Sequence, residues 1–286
     1  MKKIKNFFFS FVPLLLGFCI QYMVCFYLML LSALFMFVIA PSVNGYYAYS
    51  INDLIDLWVN IDFNTLIMLV FAVICITIFG LWYYKSCGRN FRINIAKTFH
   101  PLQIIGIVLL IPGTQFLSSL LISYISVIFP SWLETYEELM EMAGLNEDIS
   151  LFMMIYSICL APISEELIFR GVTLRVARRT FPFWIANIFQ ALLFGVFHMN
   201  MVQGCYAFVL GLILGYICEA GGSIYFSILF HFLFNLWGTM ASEFLKHIHP
   251  ALMGILIIVG AIGGTFGGLY LFKKGTSALK YNHKYQ

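Results

Sequence analysis

Charged residues are scarce in this chain of 286 residues, where Asp, Glu, Lys and Arg together make up only 10%. A soluble domain ordinarily carries about a quarter of such residues. The apolar types reach 62% here, and the mean hydropathy is +0.92. This shortage of charge excludes an ordinary soluble domain and predicts a polytopic membrane protein whose solvent is the lipid bilayer.

The chain also lacks the patterns of several binding and redox sites. Its seven cysteines form no C-x-x-C pair, and all but Cys87 lie in apolar runs, where cysteine acts as a small hydrophobic residue. The net charge is only +3 and no basic stripe is interleaved with aromatics, so nucleic acid is not a predicted partner. No H-E-x-x-H sequence is present to supply the zinc-binding helix of many metalloproteases.

Long apolar segments predict an all-α fold of about eight transmembrane helices with a buried polar site in the core bundle. Several segments between 183 and 238 are short for a hydrocarbon core of about 30 Å, so we expect shallow or broken spans there. We divide the chain into N-terminal helices (1–100), a core bundle (101–240) and a C-terminal helix with a basic tail (241–286). The predicted spans are the uncleaved run up to Ala40, Thr65 to Tyr84, Leu102 to Phe129, Leu151 into the stretch around Glu165, Phe183 to Asn200, Gly204 to Cys218, Ser223 to Gly238 and Leu252 to Phe272.

The basic residues lie almost entirely on one side of this arrangement. Fifteen of the 16 fall there, whereas the opposite side is acidic. By the positive-inside rule, we expect the protein to lie in the cell membrane with both termini in the cytoplasm. A cavity that opens on the basic side would then be reached from the cytoplasm. The fifteen are Lys2, Lys3, Lys5, Lys85, Arg89, Arg92, Lys97, Arg170, Arg175, Arg178, Arg179, Lys273, Lys274, Lys280 and Lys284; the acids are Asp53, Asp56, Asp62, Glu134, Glu137, Glu138, Glu141, Glu147 and Asp148.

Two further patterns concern packing and the membrane surface. Gly260, Gly264 and Gly268 give a G-x-x-x-G face that favours close helix contact. Residues Trp132 to Leu145 space Trp132, Tyr136, Leu139 and Met142 at helical intervals among acids. That segment is either an interfacial helix or a solvated acidic loop.

The segment Glu165-Glu166-Leu167-Ile168-Phe169-Arg170 places three ionisable groups inside an apolar run. Each such group costs roughly 2.5–3.5 kcal/mol near the bilayer centre, so an intramembrane charge indicates function. In a helix Glu166 and Arg170 are i and i+4 and can pair, which leaves Glu165 on another face without an obvious local partner. The alternative is the membrane boundary of a helix that ends in an Arg-rich segment.

Isolated polar residues occur in two further apolar runs. His198 follows Phe194 by four residues, and His231 and Asn235 share one helix face at i and i+4. Each histidine taken singly is more often a packed, hydrogen-bonded residue. If Phe181-Pro182 is the turn of a helical hairpin, however, Glu165 and His198 lie about 16 residues on either side of it and reach the same height.

A carboxylate, two imidazoles and an amide in one shielded cavity are the groups that amide hydrolysis needs: a base, a proton shuttle and oxyanion donors. The same groups Glu165, His198 and His231 also form a possible ligand set for a divalent metal ion such as zinc. From the residues alone, both a metal-free and a metal-dependent site remain open.

The polar residues form three motifs: Glu165-Glu166-x-x-x-Arg170, Phe194-x-x-x-His198 and His231-x-x-x-Asn235. Together these motifs resemble those of the type II CAAX prenyl endopeptidase family, also called the CAAX protease and bacteriocin-processing family. The resemblance covers about residues 150 to 240. It implies an eight-helix intramembrane endopeptidase in which Glu165 activates water with His198, while His231 and Asn235 stabilise the oxyanion. It also implies that Glu166 and Arg170 support the site.

Membrane-embedded proteolysis of a peptide or protein substrate in or at the bilayer is therefore the predicted function. A non-catalytic bacteriocin-immunity or scaffold protein is the first alternative, although the intact set of polar residues weighs against it. A transporter that uses Glu165 and the histidines as a proton relay is the second. No inverted repeat is visible to favour it. The sequence does not define the substrate, and in particular it does not predict a prenylated one.

Overall fold

The computed structural model describes residues 2–44, 49–87, 99–142, 149–245 and 249–284. Within these ranges every regular element is a helix, as the apolar composition predicts. Several charges of the predicted partition fall outside the described residues, namely Arg89, Arg92, Lys97, Glu147 and Asp148.

The helices of the described ranges are labelled α1 to α15. In chain order they are α1 (Lys2–Phe9), α2 (Val12–Leu34), α3 (Ala40–Asn44), α4 (Ile51–Val59), α5 (Ile61–Cys87), α6 (Pro101–Ile128), α7 (Pro130–Met142), α8 (Leu151–Met154), α9 (Ala161–Glu166), α10 (Leu174–Ala177), α11 (Phe183–Phe197), α12 (Met201–Gly221), α13 (Ile224–Leu245), α14 (Pro250–Val259) and α15 (Thr265–Lys284). Turns of π-helix continue the helical path at Phe35–Ile39, Ile155–Leu160, Leu167–Thr173 and Gly260–Gly264.

Six of the described helical runs are long and apolar enough to cross a membrane. They are Lys3–Val43, Ile61–Ser86, Pro101–Ile128, Leu151–Ala177, Met201–Gly221 and Leu252–Leu279. The apolar helices Phe183–Phe197 and Ile224–Met240 are shorter, as expected for this part of the chain. The polytopic all-α fold is confirmed, whereas the number of eight spans stays a prediction.

The glycine face of the last helical run packs closely against α6, as predicted. A Cβ added at Gly268 would lie 2.7 Å from the carbonyl oxygen of Gly106, and one added at Gly264 would lie 3.0 Å from the Cα of Gly113. Side chains at these positions would separate the two backbones. Small residues thus let α6 and the C-terminal run approach each other without a hydrophobic driving force in lipid.

The turn predicted at Phe181-Pro182 is present, since α10 ends at Ala177 and α11 begins at Phe183. The second predicted turn is present too, because Gly222 ends α12 in the left-handed conformation with φ 70°. Between α11 and α12 the chain reverses at 198–200, where Met199 has φ 54° and the Asn200 side chain accepts the Gln203 N–H at 2.9 Å. This hairpin fixes the position of His198.

Close contact of α11 and α12 depends on two facing glycines. A Cβ added at Gly195 would lie 2.6 Å from the carbonyl oxygen of Gly204, which is too short for any side chain. We expect Gly195→Ala to destabilise the protein by about 1–3 kcal/mol, because overpacking forces the helices apart. Thermal unfolding in detergent would measure this change.

Gly267→Ala is the matched control, because no atom lies within 4 Å of a Cβ added there. Its unfolding midpoint should equal or slightly exceed that of the wild type. A Gly195→Ala midpoint equal to that of the control would contradict the close contact.

The acidic segment beyond α6 is a helix, α7, over Pro130–Met142, rather than a loop. Its apolar residues differ in how far they pack against the bundle. Tyr136 is half-buried, but Leu139 and Met142 are exposed by 40% and 65%. The packed face is instead formed by Trp132, Leu133, Tyr136 and Met140, since the helix is rotated toward α6 and α12.

Candidate active site

The helical run Leu151–Ala177 carries the two adjacent glutamates near its middle. The residues from Leu167 to Thr173, which follow them in π-helical geometry, are all buried. π-Helical turns are rare and often occur at functional sites, because they redirect side chains that a regular helix would space evenly.

Glu166 and Arg170 form the predicted pair. Arg170 Nη1 donates a hydrogen bond of 2.7 Å to Glu166 Oε1, and both side chains are fully buried. The guanidinium lies over the ring of Phe194, 4.4 Å from its centroid, and Nη2 donates to the carbonyl oxygen of Gly211 at 3.3 Å. Arg170 therefore connects the glutamate-bearing helix to α11 and α12.

His231 lies between the two glutamates. Its Nδ1 is 3.0 Å from Glu166 Oε1, and its Nε2 is 3.7 Å from Glu165 Oε2. A carboxylate paired with arginine accepts hydrogen bonds, so Nδ1 carries the proton and Nε2 faces Glu165. The structure thus brings together Glu165, Glu166, Arg170 and His231, as the sequence predicts.

His198 is positioned by the end of α11. Its Nδ1 lies 2.9 Å from the carbonyl oxygen of Phe194, and its ring meets the Phe194 ring edge to face at 4.8 Å. A carbonyl only accepts, so Nδ1 is the protonated nitrogen and Nε2 keeps its lone pair in the neutral ring. His198 also lies close enough to Glu165 for the two groups to interact electrostatically.

Asn235 lies one helical turn beyond His231 and has a different partner. Its Nδ2 donates a hydrogen bond of 2.8 Å to the carbonyl oxygen of Ser157, within the π-helical turn that precedes α9. The amide nitrogen has a second N–H, which is not used in this bond. Asn235 is therefore anchored beside the glutamate-bearing helix.

The four central groups differ in exposure. Glu166 and Arg170 are 0% exposed and His231 is 4% exposed, whereas 14% of the Glu165 side chain is accessible. The accessible carboxylate can meet water or a substrate, while the buried pair can act only through its neighbours.

Several polar residues of this region were not predicted. Gln190 Nε2 donates to the Gly211 carbonyl oxygen at 2.9 Å, the same acceptor that Arg170 uses, and to Asn187 Oδ1 at 2.8 Å. Their isolation in an apolar run was the available signal.

These contacts test whether the site residues are arranged to bind a metal ion. Among the residues that the structure describes, no three His, Cys, Asp or Glu side chains are grouped as metal ligands. Glu165, His198 and His231, the possible zinc set, are thus not gathered in a ligand geometry. Nδ1 of each histidine has a protein acceptor, as is usual for a ligating histidine, so Nε2 is the nitrogen of each ring that would meet a metal ion.

The part of the chain that holds this site is also the part that resembles a known protein family. A search of curated proteins and a search of solved structures each gave no match. Residues 147–237 match the family model described as type II CAAX prenyl endopeptidase Rce1-like. That range holds the whole glutamate, arginine, histidine and asparagine set, so the polar core of this membrane protein is similar over residues 147–237 to the Rce1-like family.

Proposed function

We propose that the protein is an intramembrane endopeptidase that uses Glu165 to activate water. The observation that carries the proposal is the contrast within one cluster: Glu165 is partly accessible, while its neighbours Glu166 and Arg170 are completely buried. A buried pair of opposite charges costs desolvation energy and rarely adds stability. Its presence beside an accessible carboxylate indicates a site built for chemistry.

Glu165 and His198 supply the proton transfers. Glu165 removes a proton from water as hydroxide attacks the carbonyl carbon of the scissile bond, giving a tetrahedral intermediate. Glu165 passes that proton to Nε2 of His198, whose lone pair is free in the neutral ring, and the imidazolium gives it to the leaving amine when the carbon–nitrogen bond breaks, so that both residues return to their starting forms. Nδ1 holds this ring in place through the Phe194 carbonyl oxygen.

His231 and Asn235 supply the donors for the oxyanion. Asn235 uses the N–H that does not face the Ser157 carbonyl. His231 can donate from Nε2 only as an imidazolium, because its Nδ1 proton is directed to Glu166.

Glu166, Arg170 and Phe194 are positioning residues in this scheme. Glu166 orients the ring of His231, Arg170 balances the charge of Glu166, and the Phe194 ring supports the guanidinium. The core bundle at 101–240 then forms the proteolytic unit, with the helices of 1–100 and 241–286 around it.

The substrate is a peptide or protein whose cleavable bond lies in or at the membrane. The matched family is named for prenyl endopeptidases acting on CAAX sequences, so a prenylated peptide ending in such a motif is the first substrate to test. Purified protein in proteoliposomes would be incubated with that peptide and with a membrane-peptide library, and mass spectrometry would identify new termini. Products that also form with Glu165→Gln would overturn the proposal.

The predicted orientation has its own test. The Lys and Arg partition places Arg178 in the cytoplasm and Glu138 outside. In a cysteine-free background on intact cells, a membrane-impermeant thiol reagent should label Glu138→Cys at least tenfold faster than Arg178→Cys. The reverse order would show that both termini face outward.

A further inference from the structure

The residues around the site differ in exposure along the bundle: they are buried toward one end and partly accessible toward the other. Toward the Arg-rich end, which we define by Arg175, Arg178 and Arg179, the groups that contact the site are closed off: every residue from 166 to 174 is buried, and Phe194 is 1% exposed. Gln190, one turn further toward that end, is fully buried.

The opposite direction leads to the acidic face, the end of the bundle that carries α7 and the beginning of α8. His198, Gln203, Tyr206 and Asn235, which lie at the level of the site or beyond it in this direction, are all partly accessible. Glu165, the proposed base, shares this partial exposure. The charge partition alone favours entry of substrate from the basic side. The dense packing of residues on that side argues instead for entry from the acidic face.

Helix α7 lies over the partly accessible residues at the acidic face and contacts α12 there through a pair of tyrosines. The rings of Tyr136 and Tyr206 meet edge to face, with their centroids 6.4 Å apart. Gln203 lies on the same helix three residues before Tyr206, nearer the α11–α12 reversal.

We propose that substrate and water reach Glu165 from the acidic face, and that the Tyr136–Tyr206 contact between α7 and α12 closes this entrance. The proposal rests on the function proposed above, because it identifies the access route of that same site. Among the described residues, helix α7 packs mainly against α6 and α12, and the acids on its outer face are exposed. It can therefore move without unpacking the core around Arg170.

Thiol modification tests the route without relying on hydrolysis. Gln203→Cys would be introduced into a variant that retains Cys218 as its only native cysteine. Cys218 is the matched control, because it lies on the same helix but on the packed side and is 8% exposed. A charged, membrane-impermeant thiol reagent would be applied to either face of the membrane, with Glu138→Cys and Arg178→Cys identifying the faces.

We expect Gln203→Cys to react at least tenfold faster from the face that labels Glu138→Cys than from the other, while Cys218 stays unmodified. Adding Tyr136→Ala should raise the rate about tenfold by removing the aromatic contact, and Tyr136→Phe should raise it less, since it keeps the ring. Met199→Cys, 70% exposed at the neighbouring turn, repeats the test if Gln203→Cys does not fold.

Two results would overturn the proposal: reaction of Gln203→Cys from the Arg178 face or from neither face, and a rate unchanged by Tyr136→Ala. An inactive Glu165→Gln protein should show the same labelling as its active parent. Loss of the proposed peptidase function and loss of the proposed entrance are therefore distinguishable outcomes.

Discussion

Glu165→Gln should lower the rate of peptide hydrolysis by about 10²–10⁴-fold while the protein still inserts and folds. A positioned general base contributes about that factor, and glutamine cannot accept the proton of the attacking water. The substitution keeps the size of the side chain and removes a charge from the membrane interior, so no folding cost is added. The partial exposure of Glu165 leaves room for the amide.

The measurement is product formation in proteoliposomes under single-turnover conditions, with folded protein quantified by size-exclusion chromatography. Glu219→Gln is the control, since Glu219 pairs with Arg178 at the exposed end of α12 and has no role in the site. His198→Ala should reduce the rate in the same direction as Glu165→Gln. Full phenotypic complementation by either site variant at normal expression would instead favour a scaffold or immunity function.

Helical spacing was sufficient to predict part of this site. The i, i+4 interval gives the Glu166–Arg170 bond directly, and counting residues from the turn at Phe181-Pro182 gives the common height of Glu165 and His198. Both arguments use one helix or one hairpin. Geometry of this kind is fixed by the backbone and needs no knowledge of tertiary packing.

Contacts between distant helices were beyond such arguments. The sequence did not show that His231 bridges both glutamates, because the rotation of α13 about its axis depends on side chains of several neighbours. Asn235 was predicted as an oxyanion donor, but its bond to Ser157 could not be foreseen. The rotation of α7 that brings Tyr136 to Tyr206 likewise depends on side chains of neighbouring helices, so the sequence did not show it.

Glu166→Ala should destabilise the protein by about 3–5 kcal/mol, the cost of leaving one member of a buried ion pair without its partner. Arg170 keeps only its bond to the Gly211 carbonyl oxygen and its contact with the Phe194 ring. His231 loses the acceptor of its Nδ1 proton as well. Thermal unfolding in detergent should therefore show a lower midpoint, with a lower yield of folded protein.

Comparison with the exposed pair of the same bundle isolates the effect of burial. Arg178 and Glu219 are 3.0 Å apart, but their side chains are 36% and 40% exposed, so Glu219→Gln should cost no more than about 1 kcal/mol after solvent screening. If Glu166→Ala were no more destabilising than Glu219→Gln, the buried pair would not hold the helices together.

The double variant Glu166→Met with Arg170→Met separates stability from activity. Replacing both members of a buried pair by apolar groups of similar volume removes the unpaired charge, so the unfolding midpoint should recover toward that of the wild type. Hydrolysis should stay low, because His231 still lacks the carboxylate that fixes its Nδ1 proton. Recovery of both properties would show that Glu166 and Arg170 serve the fold alone, whereas recovery of stability alone would establish their effect on His231.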